Sequence, residues 1–149
     1  MTPDEMLAYY RRHRAAEDAR DFDTVMETLV PDCVIEHVSL GLRTVGREAS
    51  KRGYEEWFGA FSDLGPIPEG IAFGDDVLVA FGQLHGTMTE PWLGLKPTGR
   101  SHTLPIVNIV GFRDGLMVGE RLFYDVATMC DQLDLELDAL RAAAADAST

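Results

Sequence analysis

Residues 101–133, SHTLPIVNIVGFRDGLMVGERLFYDVATMCDQL, decide the fold of this chain. Two apolar, strand-like runs meet at Asp114-Gly115, a dipeptide that accepts the positive φ angles of a two-residue hairpin turn. The second run, Leu116 to Tyr124, then gives way to an apolar helical pattern. The segment therefore predicts a hairpin followed by a helix. It places the Asp125 carboxylate at the junction, where we expect it to point into a partly buried space.

The N-terminal residues predict two helices. Thr2 and Glu5 form a T-x-x-E capping box, so the first helix begins there and runs to about Arg20. We expect His13 on its buried face, together with Met6, Tyr9 and Tyr10, and Glu17 mostly on the solvent side. A shorter helix follows before the first strand, which the alternation of residues 33–38 predicts.

The middle of the chain predicts a helix and a long strand. Residues 47–61 carry Tyr54, Trp57, Phe58 and Phe61 at helical spacing, which indicates core packing or, for Tyr54 and Trp57, the lining of an apolar cavity. Residues 62–74 predict a loop with at most a short edge strand. Residues 77–90 predict a central strand, and residues 90–100 a surface excursion.

The composition favours one compact domain over residues 1–149, with residues 143–149 a frayed tail. The net charge of -12 argues against nucleic acid and membrane partners, because phosphates and anionic headgroups repel an acidic surface. The two cysteines fit no disulfide or zinc spacing, and no basic and apolar leader or apolar span of about 18 residues occurs. A cytoplasmic location is the expectation.

The order of elements predicts an α+β fold, in which N-terminal helices pack over a curved antiparallel sheet and enclose a cone. A single helix after Asp125 completes it. Within the last hairpin, Asn108 interrupts an apolar strand, and its amide needs a partner in the sheet interior or on a ligand carbonyl.

Five segments resemble the SnoaL-like polyketide cyclases of the nuclear transport factor 2-like superfamily. They are ARDFDTVMETLVPDCVIEH, the glycine-bracketed loop from Gly41 to Gly46, GTMTEPWLGLKPTGR, FRDGLMVGERLFYD and DVATMCDQL. The resemblance implies a cone-shaped barrel, a homodimer formed through the sheet, a pocket for a hydrophobic small molecule, and no cofactor. The chain departs from the family pattern at Asp134, which replaces the glycine of QLG, at Leu122 and at Met88.

The resemblance also implies the reaction, an intramolecular aldol cyclisation of a polyketide-like carbonyl compound. The family's acid/base aspartate lies seven residues before the glutamine of QLG, which is the position of Asp125. An apolar pocket would raise the pKa of such a carboxyl and make it a better base toward a carbon acid. The enolate oxygen then needs a donor, for which His85, His102, Asn108 and Tyr54 are candidates.

Our predicted catalytic residues are Asp125 and His102, and no metal site is predicted. The predicted ligand-binding residues are His37, Tyr54, Trp57, His85, Asn108, Arg121 and Phe123. Strand parity puts Arg121 and Phe123 on the same face as Asp125.

Two other functions stay open. An epoxide hydrolase or isomerase would need two carboxylates and an arginine around a water, and no second interior acid is evident in the sequence. A non-catalytic ligand-binding protein is also compatible with the fold. For Asp125 itself, the competing interpretation is an N-cap of the following helix.

Overall fold

The computed structural model describes residues 1–148 and consists of one six-stranded sheet with five helices in that range. The helices are α1 (Pro3–Asp18), α2 (Phe22–Glu27), α3 (Arg47–Ala60), α4 (Val126–Leu133) and α5 (Leu137–Ala147). The strands are β1 (Leu29–His37), β2 (Leu42–Val45), β3 (Gly65–Gly74), β4 (Val77–Thr87), β5 (Ser101–Arg113) and β6 (Leu116–Tyr124). No helix among residues 1–148 combines the length and apolarity that a membrane crossing requires.

The sheet is curved and unclosed, with strand order β2-β1-β6-β5-β4-β3. This confirms the predicted α+β class. One pairing differs from the prediction: β1 and β6 run parallel, while every other neighbouring pair is antiparallel. The chain passes through α3 and four strands between β1 and β6, and a connection of that length permits a parallel return.

The hairpin between β5 and β6 has the predicted turn. Asp114 and Gly115 have φ angles of 54° and 78°, and Arg113 pairs with Leu116 across them. Positive φ at both central residues is the signature of a type I′ turn, whose twist matches that of the strands it joins.

Gly119 fixes the contact between β6 and β1. Its φ is 137°, and a Cβ at this position would lie 1.8 Å from the carbonyl oxygen of Val34. Only glycine therefore allows β1 to approach β6 here. The next residue, Glu120, points from β6 to the helix-covered side of the sheet, where it is only 4% exposed.

Two segments differ from the prediction: one contains a longer strand, and the other contains two helices in place of one. The predicted loop at residues 62–74 contains the ten-residue edge strand β3, whose irregular pairing between Pro68 and Gly70 accommodates its prolines. The predicted single C-terminal helix is interrupted at Asp134, which takes the left-handed conformation with φ 57° and ψ 47°. The expected tail is helical to Ala147, and Thr149 lies outside the described residues.

Candidate functional site

One cavity, which we call the main cavity, has a volume of about 470 Å³ and lies between the helices and the sheet. Strands β4, β5 and β6 form its inner wall with Ala80, Leu84, Ile106, Asn108, Glu120 and Leu122. Helices α1 and α3 form the opposite side with Tyr10, Arg11, Arg14, Glu17, Asp18, Trp57 and Phe58. Apolar residues of β3 complete the lining, so most of the surface that a ligand would contact is apolar.

Five side chains form a buried polar cluster against this cavity: His13, Glu17, Tyr54, Asn108 and Glu120. Each is at most 7% exposed. Glu120 is central, because Tyr54 Oη donates to its Oε1 and Asn108 Nδ2 donates to its Oε2. Since a carboxylate can only accept here, the nitrogen of the Asn108 amide must face Glu120. The amide therefore bonds within the sheet interior, which was one of the two predicted alternatives.

His13 connects the two carboxylates of the cluster. Its Nδ1 lies 2.7 Å from Thr28 Oγ1, and that hydroxyl donates to the carbonyl oxygen of Val25 at 2.6 Å. Nδ1 must therefore carry a proton and donate to Thr28. The other nitrogen, Nε2, lies 3.2 Å from Glu17 Oε1 and 3.4 Å from Glu120 Oε1. Nε2 of His13 therefore lies between one oxygen of each carboxylate, and a proton on this nitrogen could be shared between the two.

An arginine completes the charge balance of the cluster. Arg14 forms an ion pair with Glu17 Oε2 and a second one with Asp18 Oδ1 at 2.8 Å. Burial by itself would raise the pKa of Glu120, but hydrogen bonds and charge from His13, the Tyr54 hydroxyl and Arg14 outweigh it and lower this pKa to about 2. Glu120 is therefore an anion at neutral pH, because donors surround it on every side.

Two tyrosines near Glu120 keep their protons. Burial and the negative charge of Glu120 raise the pKa of Tyr10 to about 12 and that of Tyr54 well above its usual value. Tyr10 lines the main cavity and is half-buried, and its neutral hydroxyl also interacts with Asn108. Tyr54 instead directs its hydroxyl at Glu120.

The same cluster contains the atoms that a metal ion would need. His13, Glu17 and Glu120 bring one ligand atom each to within 4.8 Å of one another, and all three are buried. However, both carboxylates already accept from protein donors, and the Arg14 cation lies on Glu17. The donor set fits a hydrogen-bonded ion network better than a divalent cation, which would have to displace those donors.

The predicted placement of Asp125 is wrong. Asp125 is exposed and caps α4, with Oδ1 3.1 Å from the Thr128 amide and Oδ2 2.7 Å from its hydroxyl. These two hydrogen bonds lower the pKa of Asp125, opposite to the predicted rise. It does not line either of the two cavities described here.

Arg121 and Phe123 lie on the same side of the sheet as Asp125, as strand parity predicts. That side is the outer face and not the cavity face. Arg121 pairs with Glu36 at 3.1 Å, and its guanidinium lies 5.4 Å from the ring of Phe123. The inward residues of β6 are Glu120, Leu122 and Tyr124, which are all buried.

The three predicted histidines lie at three separate places. His102 is buried against Phe61 with a ring separation of 5.4 Å, away from both cavities, and burial lowers its pKa to about 4. His85 is on the outer face, bonded to Thr103 at 2.9 Å and Asp63 at 3.3 Å. His37 is buried beside a second cavity, its Nδ1 2.8 Å from Tyr124 Oη, and burial lowers its pKa to about 4.

Three of the predicted residues do reach the site. Asn108 lines the main cavity, Tyr54 contacts Glu120, and Trp57 lines the main cavity and the second one. The residues that the sequence analysis missed are His13, Glu17 and Glu120. A signal existed for Glu17, because Met6, Tyr10, His13 and Glu17 continue one stripe of α1 at helical spacing.

The sequence model of the SnoaL-like polyketide cyclase family matches residues 7–133. No curated protein is a significant sequence match. Among solved structures, a SnoaL-like protein from Jannaschia sp. CCS1 is 22% identical with a TM-score of 0.79, over 91% of this chain and 97% of its own.

Two further solved structures have the same fold. IdmH from Streptomyces antibioticus is 24% identical with a TM-score of 0.69, over 86% of this chain and 97% of its own. TerC, which was crystallised with polyporic acid, is 18% identical with a TM-score of 0.73, over 87% of this chain and 98% of its own. At these identities the structures establish the fold, and the family model covers most of the chain. The chain therefore belongs to the SnoaL-like polyketide cyclase family.

Proposed function

We propose that this protein is a cofactor-independent acid/base enzyme for a polyketide-like carbonyl compound, with Glu120 as the group that exchanges the proton. The observation that carries the proposal is the position of Glu120, an ionised carboxylate in the wall of a largely apolar cavity of about 470 Å³. That volume is within the usual range for a small-molecule site. The family supports a cyclase or isomerase type of reaction.

The low pKa of Glu120 restricts the substrate. A carboxylate that three donors and a nearby arginine stabilise is a weak base, so it cannot remove a proton from a simple ketone at a useful rate. A carbon between two carbonyl groups is far more acidic, because its carbanion is delocalised over both oxygens. We therefore expect a substrate with such an activated methylene, which is a common feature of polyketide chains.

The remaining polar groups have roles in the same step. When Glu120 takes the proton, negative charge moves to the enolate oxygen, and the neutral hydroxyl of Tyr10 is the cavity-facing donor for it. In an aldol closure the enolate carbon then forms a bond with a second carbonyl carbon of the same molecule. The resulting alkoxide takes the proton back from Glu120, so the enzyme ends the cycle unchanged. His13, Tyr54 and Asn108 hold Glu120 in position throughout.

Ligand screening followed by a turnover assay tests the proposal. Anthracycline-type esters, steroid enones and terpene epoxides would be screened by thermal shift, and binders assayed for conversion. Glu120→Gln is expected to reduce kcat by about 10²- to 10⁴-fold, the usual contribution of a positioned base, while retaining binding. Undiminished turnover by a folded Glu120→Gln would refute the assignment. Binding without any conversion by wild type would favour a non-catalytic ligand-binding protein.

One observation favours a second candidate, an epoxide hydrolase. Glu17, Glu120 and Arg14 supply two interior carboxylates and an arginine beside the cavity, the set that the sequence analysis could not find. In this reaction a carboxylate would remove a proton from water as the water attacks an epoxide carbon and the carbon-oxygen bond of the ring breaks. The carboxyl group would then return that proton to the former ring oxygen, which gives the diol. Incorporation of ¹⁸O from labelled water into a diol product would support it. A carbon-carbon ring closure without such incorporation would support the cyclase.

We also propose the homodimer and the cytoplasmic location that the sequence analysis expects. The outer face of the sheet exposes Phe81 and Val107, which pair across β4 and β5, and Val107 pairs in turn with Phe123. This apolar row supports association through the sheet. Val107→Lys should convert a dimer to a monomer in sedimentation analysis, and an unchanged mass would refute this interface.

The free, buried thiols of Cys33 and Cys130 support a reducing compartment.

A further inference from the structure

Two cavities meet at one side chain in this fold. The second cavity, of about 230 Å³, lies behind α3 and is lined by residues of β1, β2 and α3, by Trp92 and Leu93, and by Ala147 of α5. Among the residues that the structure describes, Trp57 is the one that lines both cavities. Trp57 therefore lies where the two cavities adjoin, and we call this place the partition.

The two cavities differ in whether they are large enough for a small-molecule ligand. Small-molecule sites usually measure about 300 to 1,000 Å³. The main cavity, at about 470 Å³, is within this range, and the second cavity, at about 230 Å³, is below it. The second cavity is too small to hold a drug-sized ligand alone. Its volume suits an extension of the main cavity better than a separate site for such a ligand.

Packing holds Trp57 in the partition position. The residue is 8% exposed and lies on α3, a 14-residue helix. Its ring meets His37 edge to face at 4.5 Å and Phe58 at 5.6 Å. His37 is itself fixed by the hydroxyl of Tyr124. Edge-to-face contacts of this kind favour one orientation of the indole, so the side chain is held where the two cavities adjoin.

We propose that Trp57 sets the maximum length of ligand that the main cavity accepts, and that the second cavity is a latent subsite for one more planar apolar ring. The rings of His37, Tyr54 and Trp92 line this subsite and suit the face of a planar ring. Arg52 and Glu56 also contribute to its lining. The inference rests on the proposed function only in taking the main cavity as the ligand site. It names Trp57 as a residue that determines specificity without taking part in proton transfer.

Binding of a graded ligand series tests this inference independently of turnover. Hydroxyquinones with two, three and four linearly fused rings would be titrated by calorimetry against wild type, Trp57→Ala and Trp57→Phe. For wild type we expect affinity to fall by about tenfold or more at the ring that would enter the partition, the scale at which pockets discriminate size. Trp57→Ala should move this limit outward by one ring, and Trp57→Phe should leave it in place or shift it only slightly.

A control variant separates length from general loosening of the site. Phe58→Leu changes a residue that lines the main cavity but not the second, so it should alter affinity without moving the ring limit. Equal affinity of wild type for all three quinones would overturn the proposal, as would a folded Trp57→Ala that keeps the wild-type limit.

A crystal structure of wild type with the three-ring quinone provides a check that needs no variant. The ligand should end at the Trp57 indole, and a ring found inside the second cavity would overturn the proposal. The series is also run on Glu120→Gln. An unchanged ring limit there, combined with full turnover by that variant, would refute the proposed catalytic base and leave the role of Trp57 standing.

Discussion

Glu120 and Asp125 belong to the same end of the chain, in β6 and directly after it, yet their environments are opposite. Glu120 is 4% exposed and accepts hydrogen bonds from Tyr54 and Asn108 in the wall of the main cavity. Asp125 is exposed, and its carboxylate accepts two hydrogen bonds from Thr128 at the start of α4. The face of the strand, set by residue parity, therefore decides which of the two acids lies buried in the cavity wall and which lies at the surface.

We expect the largest loss of stability from a substitution in the buried polar cluster around Glu120. His13→Leu removes the group between Glu17 and Glu120 and leaves two buried carboxylates without it. Breaking a buried charge network in this way typically costs about 3 to 5 kcal/mol of unfolding free energy. Urea unfolding would measure it. The matched control, His85→Leu on the outer face, should change stability by about 0.5 kcal/mol or less. A loss below about 1 kcal/mol for His13→Leu would contradict the account of the cluster.

The two buried histidines, His37 and His102, should make the stability of the fold depend on pH. The folded pKa values of His37 and His102 are about 4, below the usual 6.5, so between these pH values the unfolded chain binds more protons. Stability is therefore complete above pH 6.5 and falls as the pH drops toward 4, by roughly 3 kcal/mol for His37. Glu120, with its lowered pKa, adds a loss only below its usual 4.5, as the pH falls toward about 2.

Thermal unfolding between pH 7 and pH 4 measures this dependence. His37→Gln should remove about half of the decrease across that interval, because His102 still contributes the rest. His85→Gln is the control and should leave the slope as in wild type. A wild-type melting temperature that is constant from pH 7 to pH 4 would show that neither ring is held neutral by burial.

Substitution of the exposed Asp125 should cost less stability than substitution in the buried cluster. Asp125→Ala removes the N-cap of α4 and should destabilise the protein by about 1 kcal/mol. Asp125→Ser, which retains a capping oxygen, should recover most of that loss. Turnover of any substrate should be the same for both variants within a factor of about two, since the side chain is outside the cavity. Loss of turnover in both folded variants would restore Asp125 as a catalytic candidate.

Much of the fold could be predicted from the sequence because local patterns determine it. The capping box at Thr2 and the type I′ turn at Asp114-Gly115 are each encoded within a few residues, and both are present. The break at Asp134 was missed because an aspartate in the left-handed conformation gives a weaker signal than glycine. The parallel pairing of β1 with β6 depends on contacts distant in sequence.

The site was less predictable because partners from distant elements create it. Glu120 is an interior acid only because His13, Tyr54 and Asn108 converge on it from α1, α3 and β5. A charged residue in a strand is otherwise expected to face solvent. Asp125 was predicted to be catalytic because it is a lone acid between two apolar segments. The same local pattern is equally typical of a helix N-cap.

The most direct test of the account is enzyme-catalysed exchange of the methylene protons of an aryl-substituted 1,3-diketone for deuterium, followed by NMR. The probe reports removal of a proton from carbon without requiring the natural substrate. We predict that wild type and Asp125→Asn accelerate the exchange equally above the buffer rate, and that Glu120→Gln reduces it to that rate. Exchange that survives in Glu120→Gln and disappears in Asp125→Asn would contradict the account.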